Sequence, residues 1–536
     1  MSVKLRSKIL KSFQIRGFTL RSEASKFLLE ALTSLDENHQ DLWLRRLLDS
    51  LQAQRIDGPF LTKDDLLGCI REFERADNDG TDVRLLVANA FSLAPLTYCQ
   101  ERHKFVPREL AGHSGPPRLF ADAGAKAFFF RERYQLVLQK TSRHHCFSSR
   151  SRLPAGTTGF DLRPIEHLLG TTGERVVVLG MLCQLEEGNY FLEDTTGSVK
   201  IDTSGTKFTT DLFVENSLVL AEGCYDDMVF HVDAMGLPPI EPAVETLKYM
   251  GGASIFDKFP EKLRTQLELS DVPDNALFVL LSDVWLDQPK VLSHLRVLFT
   301  GFAQGAPACF VLAGNFLSRS TGLQKDCALL KEGFKALADM LSEFPLLVKH
   351  SRFIFVPGPK DPGLSNVLPR PGLPRQVTEP LQPRGGAGEG EVGAGALAER
   401  CHWASNPCRL LYCGRQVVLW RQDGLAKACR NAVHRPWDKA GLDLAQVYTR
   451  SLAANAHLSP VSLVVTPVYW EWDFALWLHP LPDAVVCFDS CDAFTVEQAG
   501  CIFFNPGSFP NTDYAFKVYY PAFKKVEDSQ IGNVAE

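Results

Sequence analysis

The side chains best placed to do chemistry stand where apolar runs end. Asp283 lies in Leu281-Ser282-Asp283-Val284-Trp285-Leu286-Asp287, and Asn315 in Ala313-Gly314-Asn315-Phe316. Lys360 and Asp361 share Val356-Pro357-Gly358-Pro359-Lys360-Asp361-Pro362. Asp489 follows Ala484-Val485-Val486-Cys487-Phe488, and Asn505 opens Asn505-Pro506-Gly507-Ser508-Phe509. Carboxylates and amides at strand C-termini are where layered α/β sheets hold their ligands. Other chemistries lack their signatures. There is no Gly-Lys dipeptide for a phosphate-cradling loop, no HExxH and no GxSxG. The 14 cysteines form no CxxC pair, which excludes a cysteine-rich zinc ribbon or finger. Cys408 and Cys413 read as buried thiols, and His144-His145 stands too isolated to imply a metal. No cofactor is expected.

Alternating strand and helix signals must position these residues. Leu277–Leu281, Cys309–Ala313 and Phe353–Val356 read as buried strands, with helix around Lys290–Phe299. A second helix carries Leu330, Phe334, Leu337, Leu341 and Phe344 on one stripe. Strands return at Arg409–Tyr412, Gln416–Trp420, Ala484–Phe488, Cys501–Phe504 and Tyr514–Tyr519, so residues 246–536 read as one layered α/β domain. Residues 357–395 carry 8 Pro and 9 Gly and read as a flexible insertion within it, centred near 370–400. Trp470, Phe474 and Trp477 share one helical face and read as core packing in preference to a binding hot spot.

Three further parts precede that domain. Residues 1–75 read as helices: Leu44, Leu47, Leu48 and Leu51 repeat at helical spacing, Leu66, Ile70 and Phe73 continue it, and Ser22 with Glu23 suits a helix start. Residues 76–164 form a basic connector, with eleven Lys/Arg against four Asp/Glu in 101–152 around Phe128, Phe129, Phe130 and Tyr134. Such a mixture suits single-stranded nucleic acid. The plainer reading, which we prefer, is a connector whose aromatics dock on a neighbouring domain. Residues 165–245 hold five short strands (Val176–Cys183, Tyr190–Glu193, Ser198–Asp202, Ser217–Glu222, Met228–Ala234) and room for a short helix at Lys207–Phe213, the pattern of an OB-type barrel. The fold class is therefore multidomain α+β.

Composition limits the function. With 57 Lys+Arg against 63 Asp+Glu the net charge is −6, which excludes a polybasic DNA-coating protein. No secretory pattern opens the chain, so the cysteines read as reduced thiols of a cytosolic or nuclear protein. The first 22 residues lack acidic side chains, but they run on into amphipathic helix and a transit peptide is not expected. The longest uncharged stretches contain Pro and polar residues, so no membrane span is expected.

The strand-end motifs resemble those of calcineurin-like metallophosphoesterases, which hold two metals with Asp-x-His, Gly-Asp, Gly-Asn-His and Gly-His-x-His. In this chain Asp283 survives, but Trp285 stands where His is required. Asn315 replaces the bridging Asp and Ser318 the distal one; Pro359 and Lys360 replace Asn and His. Phe488-Asp489-Ser490-Cys491 offers no His. The resemblance therefore implies a degenerate site at Asp283, Trp285, Asn315, Lys360, Asp361 and Asp489, with Lys360 repelling divalent ions.

A barrel followed by such a domain resembles the B subunits of eukaryotic replicative DNA polymerases, most closely the epsilon second-subunit group, over essentially the whole chain. The carrying strings are Phe278–Asp287, Pro467–Asp483, Asn505–Pro510 and Phe516–Asp528, with Gly188–Val199 and Leu218–Gly223 in the barrel. Gly372–Arg400 departs, being expanded and Gly-rich. The resemblance implies an N-terminal domain similar to the helical lid of AAA+ ATPases. It implies a non-catalytic nuclear scaffold for DNA replication and repair, binding the zinc-containing C-terminal region of the DNA polymerase epsilon catalytic subunit. GINS, the replicative helicase and histone-fold accessory subunits are the further implied partners, with DNA met through the complex. A single-strand-binding OB protein and a metal-dependent phosphodiesterase are the rival functions.

Overall fold

The computed structural model describes residues 84–111, 115–147, 160–171, 173–363, 366–382, 392–435 and 441–532, with short stretches before residue 84. The chain divides into two compact units, Met1–Leu85 with Thr265–Ser270, and Leu86–Arg264 with Asp271–Glu536. In the first, Thr19–Leu20 pairs in parallel with Phe60–Leu61. The leucine stripes at 44–51 and 66–73, and the start at Ser22, lie outside the described residues.

In the second unit the first long elements are strand β1 (Leu85–Asn89) and helix α1 (Ala123–Arg143). Asp122 caps α1 by accepting from the Ala125 amide at 3.3 Å, which satisfies one of the free N–H groups at a helix start. The helix buries Phe129, Tyr134, Leu136 and Val137. Described residues of 76–164, expected as a connector, thus supply a sheet strand and a packed helix that buries Phe129 and Tyr134 and half-buries Phe128 and Phe130.

Next come β2 (Arg175–Glu186), β3 (Asn189–Glu193), β4 (Ser198–Asp202), β5 (Leu218–Asp226) and β6 (Val229–Gly236). They close in the order β5-β2-β3-β4-β6-β5, with β4 and β6 parallel. That is a five-stranded OB-type barrel, lined by Val178, Leu182, Leu192, Val219, Phe230 and Val232. At the β5 bulge a Cβ on Gly223 would stand 2.0 Å from the His231 carbonyl oxygen, so only glycine lets the strands approach there. The helix expected at Lys207–Phe213 does not form. Lys207–Phe208 pairs with β6 instead, and Leu212, Phe213 and Val214 are buried out of helical register.

The remaining residues build two six-stranded sheets. The first holds β7 (Phe278–Leu281), β8 (Cys309–Ala313), β9 (Arg352–Val356) and β10 (Cys401–Trp403) in parallel, with β16 (Ala515–Tyr520) and β17 (Lys525–Gln530) added antiparallel beyond β7. The second runs β14-β15-β13-β12-β11-β1, made of β11 (Cys408–Tyr412), β12 (Arg415–Arg421), β13 (Ala484–Phe488), β14 (Phe494–Gln498), β15 (Cys501–Asn505) and the early β1. Every residue of β7, β8 and β13 is buried, as continuous apolar runs in covered sheets require. Rings meet across the sheets: Phe278 and Tyr412 centroids lie 5.2 Å apart, Phe504 and Tyr519 5.8 Å.

Helices α2 (Pro289–Phe302) and α3 (Leu323–Ser342) cover the first sheet. The α3 stripe Leu330, Phe334, Leu337 and Leu341 joins one cluster with Phe310 and Leu312, each side chain contributing about 1.5–3 kcal/mol by leaving water. Helices α4 (Gly424–Arg430) and α5 (Leu444–Ala454) cover the second sheet, where Val447 and Leu452 meet Val418, Trp420 and Val485. The insertion is smaller than its composition suggests. Leu373, Val377, Leu381 and Leu397 are buried in the first-sheet cluster, because apolar residues spaced four apart outweigh the surrounding Pro and Gly. Residues 383–391 lie outside the described residues.

Candidate functional site

The C-terminal ends of β7, β8, β9, β12 and β13 converge, and a buried cation sits between them. The Arg421 side chain is fully buried. Its Nη2 donates to Asp283 Oδ1 at 2.8 Å, and its Nη1 to Asp423 Oδ1 at 2.8 Å and to the Phe488 carbonyl at 3.1 Å. Its Nε donates to the Gly314 carbonyl. Burial alone would push the guanidinium down, but Asp283 and Asp423 hold it above its ordinary value. Asp423 in turn lies below the usual carboxylate range: burial works against it, and the Arg421 charge outweighs burial.

The flanking acids are occupied by backbone. Asp283, at a left-handed φ of 56°, also accepts from the Asn315 amide at 3.0 Å. Asp361 accepts from Phe316 N at 2.7 Å and Gly358 N at 2.8 Å, and burial pushes its carboxyl up to about 6. Asn315 Oδ1 accepts from Lys360 N at 2.9 Å. Asp489 accepts from Leu425 N at 3.0 Å, at the start of α4, and from Cys491 N at 3.1 Å; burial raises it. Asn505 Oδ1 accepts from Asp489 N and Gly507 N, both at 3.1 Å. Packing is tight enough that a Cβ on Gly314 would fall 2.0 Å from Asp361 Oδ2.

The structure therefore joins Asp283, Asn315 and Asp361 in one hydrogen-bonded cluster, with Asp489 tied to it through Phe488 and Arg421. Two expected site residues stand apart. Lys360 is exposed, so its ammonium does not occupy the site as expected; the Pro359 turn brings only its amide inward. Trp285 packs against the first-sheet cluster. Ser318 is paired with Asp287, its N–H at 2.9 Å and its hydroxyl at 2.5 Å from the carboxylate. Sequence reasoning missed Arg421, Asp423 and Arg370, whose guanidinium donates to the Gly358 and Asp361 carbonyls. The available signal was an arginine ending the buried run Val417-Val418-Leu419-Trp420, beside Phe488 in register.

The donor set does not fit a dimetal centre. Histidine is missing from the strand ends, the carboxylates are spent on amides, and a fixed positive charge fills the gap. Among the described residues, the cluster of His, Cys and carboxylate groups close enough to share an ion lies elsewhere, at His144, His145 and Cys146.

Elsewhere the expected helical face of Trp470, Phe474 and Trp477 falls on the 3-10 helix Trp470–Leu476, whose Trp470 is only half-buried. Phe474 and Trp477 are buried, with Trp477 Nε1 donating to Asp473 at 3.2 Å. Asp473 takes a two-armed contact from Arg133 of α1, and the Arg133 charge, against burial, holds it well below the carboxylate range. Cys408 and Cys413 are buried free thiols.

Comparison with known proteins gives a consistent result along the chain. Residues 278–496 match the B-subunit family of DNA polymerases alpha and epsilon, residues 123–239 the OB-fold domain of DNA polymerase epsilon subunit 2-like proteins, and residues 1–72 the DNA polymerases epsilon N-terminal family. DNA polymerase epsilon subunit 2 of Mus musculus is 38% identical over 98% of this chain and 99% of its own length. The Drosophila melanogaster subunit is 35% identical over 99% of each. A solved archaeal phosphodiesterase is similar at 11% identity and a TM-score of 0.25, covering 48% of this chain and 99% of that one.

Proposed function

Because the chain belongs to the DNA polymerase epsilon subunit 2 family, we propose that it acts as a non-catalytic nuclear accessory subunit, a scaffold in chromosomal DNA replication and repair. The observation that carries the non-catalytic reading is Arg421, whose buried guanidinium neutralises the strand-end carboxylates that a phosphoesterase would use for metals. The two-sheet domain then reads as an inactive phosphoesterase-like fold retained for shape.

In this reading the barrel and the two-sheet domain bind the zinc-containing C-terminal region of the catalytic subunit. Residues 1–75, a helical domain similar to an AAA+ lid, contact GINS and so tether the polymerase to the replicative helicase. Histone-fold accessory subunits share the same complex, and DNA is met through it. Among the described residues no helix is long and apolar enough to cross a membrane. Co-expression with the C-terminal region of the catalytic subunit tests the proposal. A stable co-purifying complex is expected, and its absence at moderate salt sinks the scaffold reading.

The rival single-strand binder is opposed by charge. Residues 175–236 carry three Lys/Arg (Arg175, Lys200, Lys207) against eleven Asp/Glu, 3 − 11 = −8. Such a barrel repels phosphates, whereas single-strand-binding barrels present positive grooves. Tight binding of an oligonucleotide by the purified chain, falling steeply with salt, would favour the rival. Turnover of a phosphodiester with Mn²⁺, abolished by Asp283→Ala, would favour the phosphodiesterase.

A further inference from the structure

We propose that His144, His145 and Cys146 form a three-ligand site for a zinc ion where α1 ends. One ligand atom from each of the three residues can be chosen so that all lie within 4.8 Å of one another. In the sequence this pair of histidines stands too isolated to imply a metal. The turn after Arg143 changes that, bringing both imidazoles and the thiol to one place.

The turn is held by its own backbone. His144 N donates to Thr141 O at 3.0 Å and Phe147 N to His144 O at 2.9 Å. Phe160 N donates to Cys146 O at 2.8 Å, tying the turn to the segment that leads into the barrel. Most of the ordering that a metal site requires is thus done before a metal arrives. The two imidazole rings lie 4.1 Å apart, and the Phe147 ring lies 6.4 Å from that of His144 and 6.0 Å from that of Phe160.

The donors select the ion. Two imidazole nitrogens and one thiolate suit zinc, which bonds nitrogen at about 2.0–2.1 Å and sulfur at about 2.3 Å in tetrahedral geometry. Those bonds set ligand atoms roughly 3.3–3.6 Å apart, so separations of up to 4.8 Å need close by at most about 1.5 Å, within the reach of side-chain rotation. The Cys146 amide faces His144 Nδ1 at 3.4 Å, which leaves the lone pair on that nitrogen and the proton on Nε2. Zinc would take Nδ1 in exchange for this long contact. Three protein ligands leave a fourth position to water, and the ion would lock the turn that follows α1.

The full-length chain, reduced and stripped with chelator, is titrated with Co²⁺ as the spectroscopic probe and with Zn²⁺ as competitor. One equivalent is expected to bind, with a thiolate-to-cobalt charge-transfer band that Zn²⁺ abolishes. Cys146→Ser should remove the band, His145→Asn should weaken binding at least tenfold, and Cys429→Ser should leave both unchanged. Zn²⁺ should also slow alkylation of Cys146 in the unaltered chain, read by mass spectrometry, which needs no variant to fold. No charge-transfer band, a band that survives Cys146→Ser, or alkylation of Cys146 indifferent to Zn²⁺ would each overturn the site.

Discussion

Replacing Arg421 by Met tests whether this guanidinium is the cation around which the strand ends are built. The substitution keeps length and much of the apolar stem but removes four donations: to Asp283, Asp423, Gly314 O and Phe488 O. Asp283 is buried, so breaking its pair leaves a charge without a counterion inside the domain. Truncating one partner of a buried pair costs about 3–5 kcal/mol, and two orphaned carbonyls add about 1 kcal/mol or more. Against a total of about 5–15 kcal/mol for a folded domain, that is a large share. The assay is urea unfolding of the purified chain followed by tryptophan fluorescence. Arg421→Met should lower the midpoint sharply, and Arg421→Lys should fall between, because an ammonium keeps the charge but cannot span both carboxylates with a planar fork. Adding Asp283→Asn to Arg421→Met should recover part of the stability, since the more deeply buried of the two uncompensated charges is gone while Asp423 keeps its own. A loss under about 1 kcal/mol for Arg421→Met, the range of an exposed pair, would refute the keystone role. So would a double variant no more stable than Arg421→Met alone.

Other perturbations follow from the same geometry. Burial raises Asp361 to about 6, so the folded state holds its proton more tightly than an unfolded carboxyl titrating near 3.9. Its contribution to stability therefore falls as pH rises from about 4 to 6 and is flat above. Comparing wild type with Asp361→Asn should show a stability difference that changes across that window; a constant difference would contradict the assignment. Gly314→Ala should cost several kcal/mol or prevent folding, because its Cβ meets Asp361 Oδ2 at 2.0 Å and Gly358 N at 2.6 Å; a thermal midpoint unchanged from wild type would count against that packing. Arg133→Ala should destabilise by about 3–5 kcal/mol, since it strips the buried Asp473 of its two-armed partner. Adding Asp473→Asn should restore part of the loss, and unfolding midpoints of the single and double variants measure the coupling.

The layered domain was legible because its strands are short apolar runs bounded by turns. Cys309–Ala313 and Ala484–Phe488 end where the apolar run ends. The barrel was legible for the same reason, while Lys207–Phe213 misled because its spacing suits a helix turn and its pairing with β6 is a long-range event. Nothing local says that Leu85–Asn89 closes a sheet whose other strands begin more than 300 residues later; that pairing depends on tertiary contacts that periodicity does not encode. At the site, the carboxylates and amides were visible from motif position, but the group they surround was not. Arg421 is far in sequence from Asp283 and Gly314, and only the register of β12 beside β13 brings it under them. Lys360 misled in the opposite sense: the right charge in the right motif, on a side chain that the turn sends to solvent.

The strand-end arrangement also shows how a fixed charge can close such a site. Two sheets whose C-terminal ends converge bring carbonyl oxygens and carboxylates to one point whatever the side chains nearby, and that concentration of negative potential must be balanced. A metal ion balances it and leaves open positions for substrate. Arg421 balances it with a fixed guanidinium, four of whose N–H groups donate within the protein, and such a cation offers no ligand position. Such a cation cannot dissociate and needs no supply, so the domain keeps its shape under conditions that would empty a metal site. Permanence of shape without an open coordination position is a property that an accessory subunit can use and an enzyme of this kind cannot.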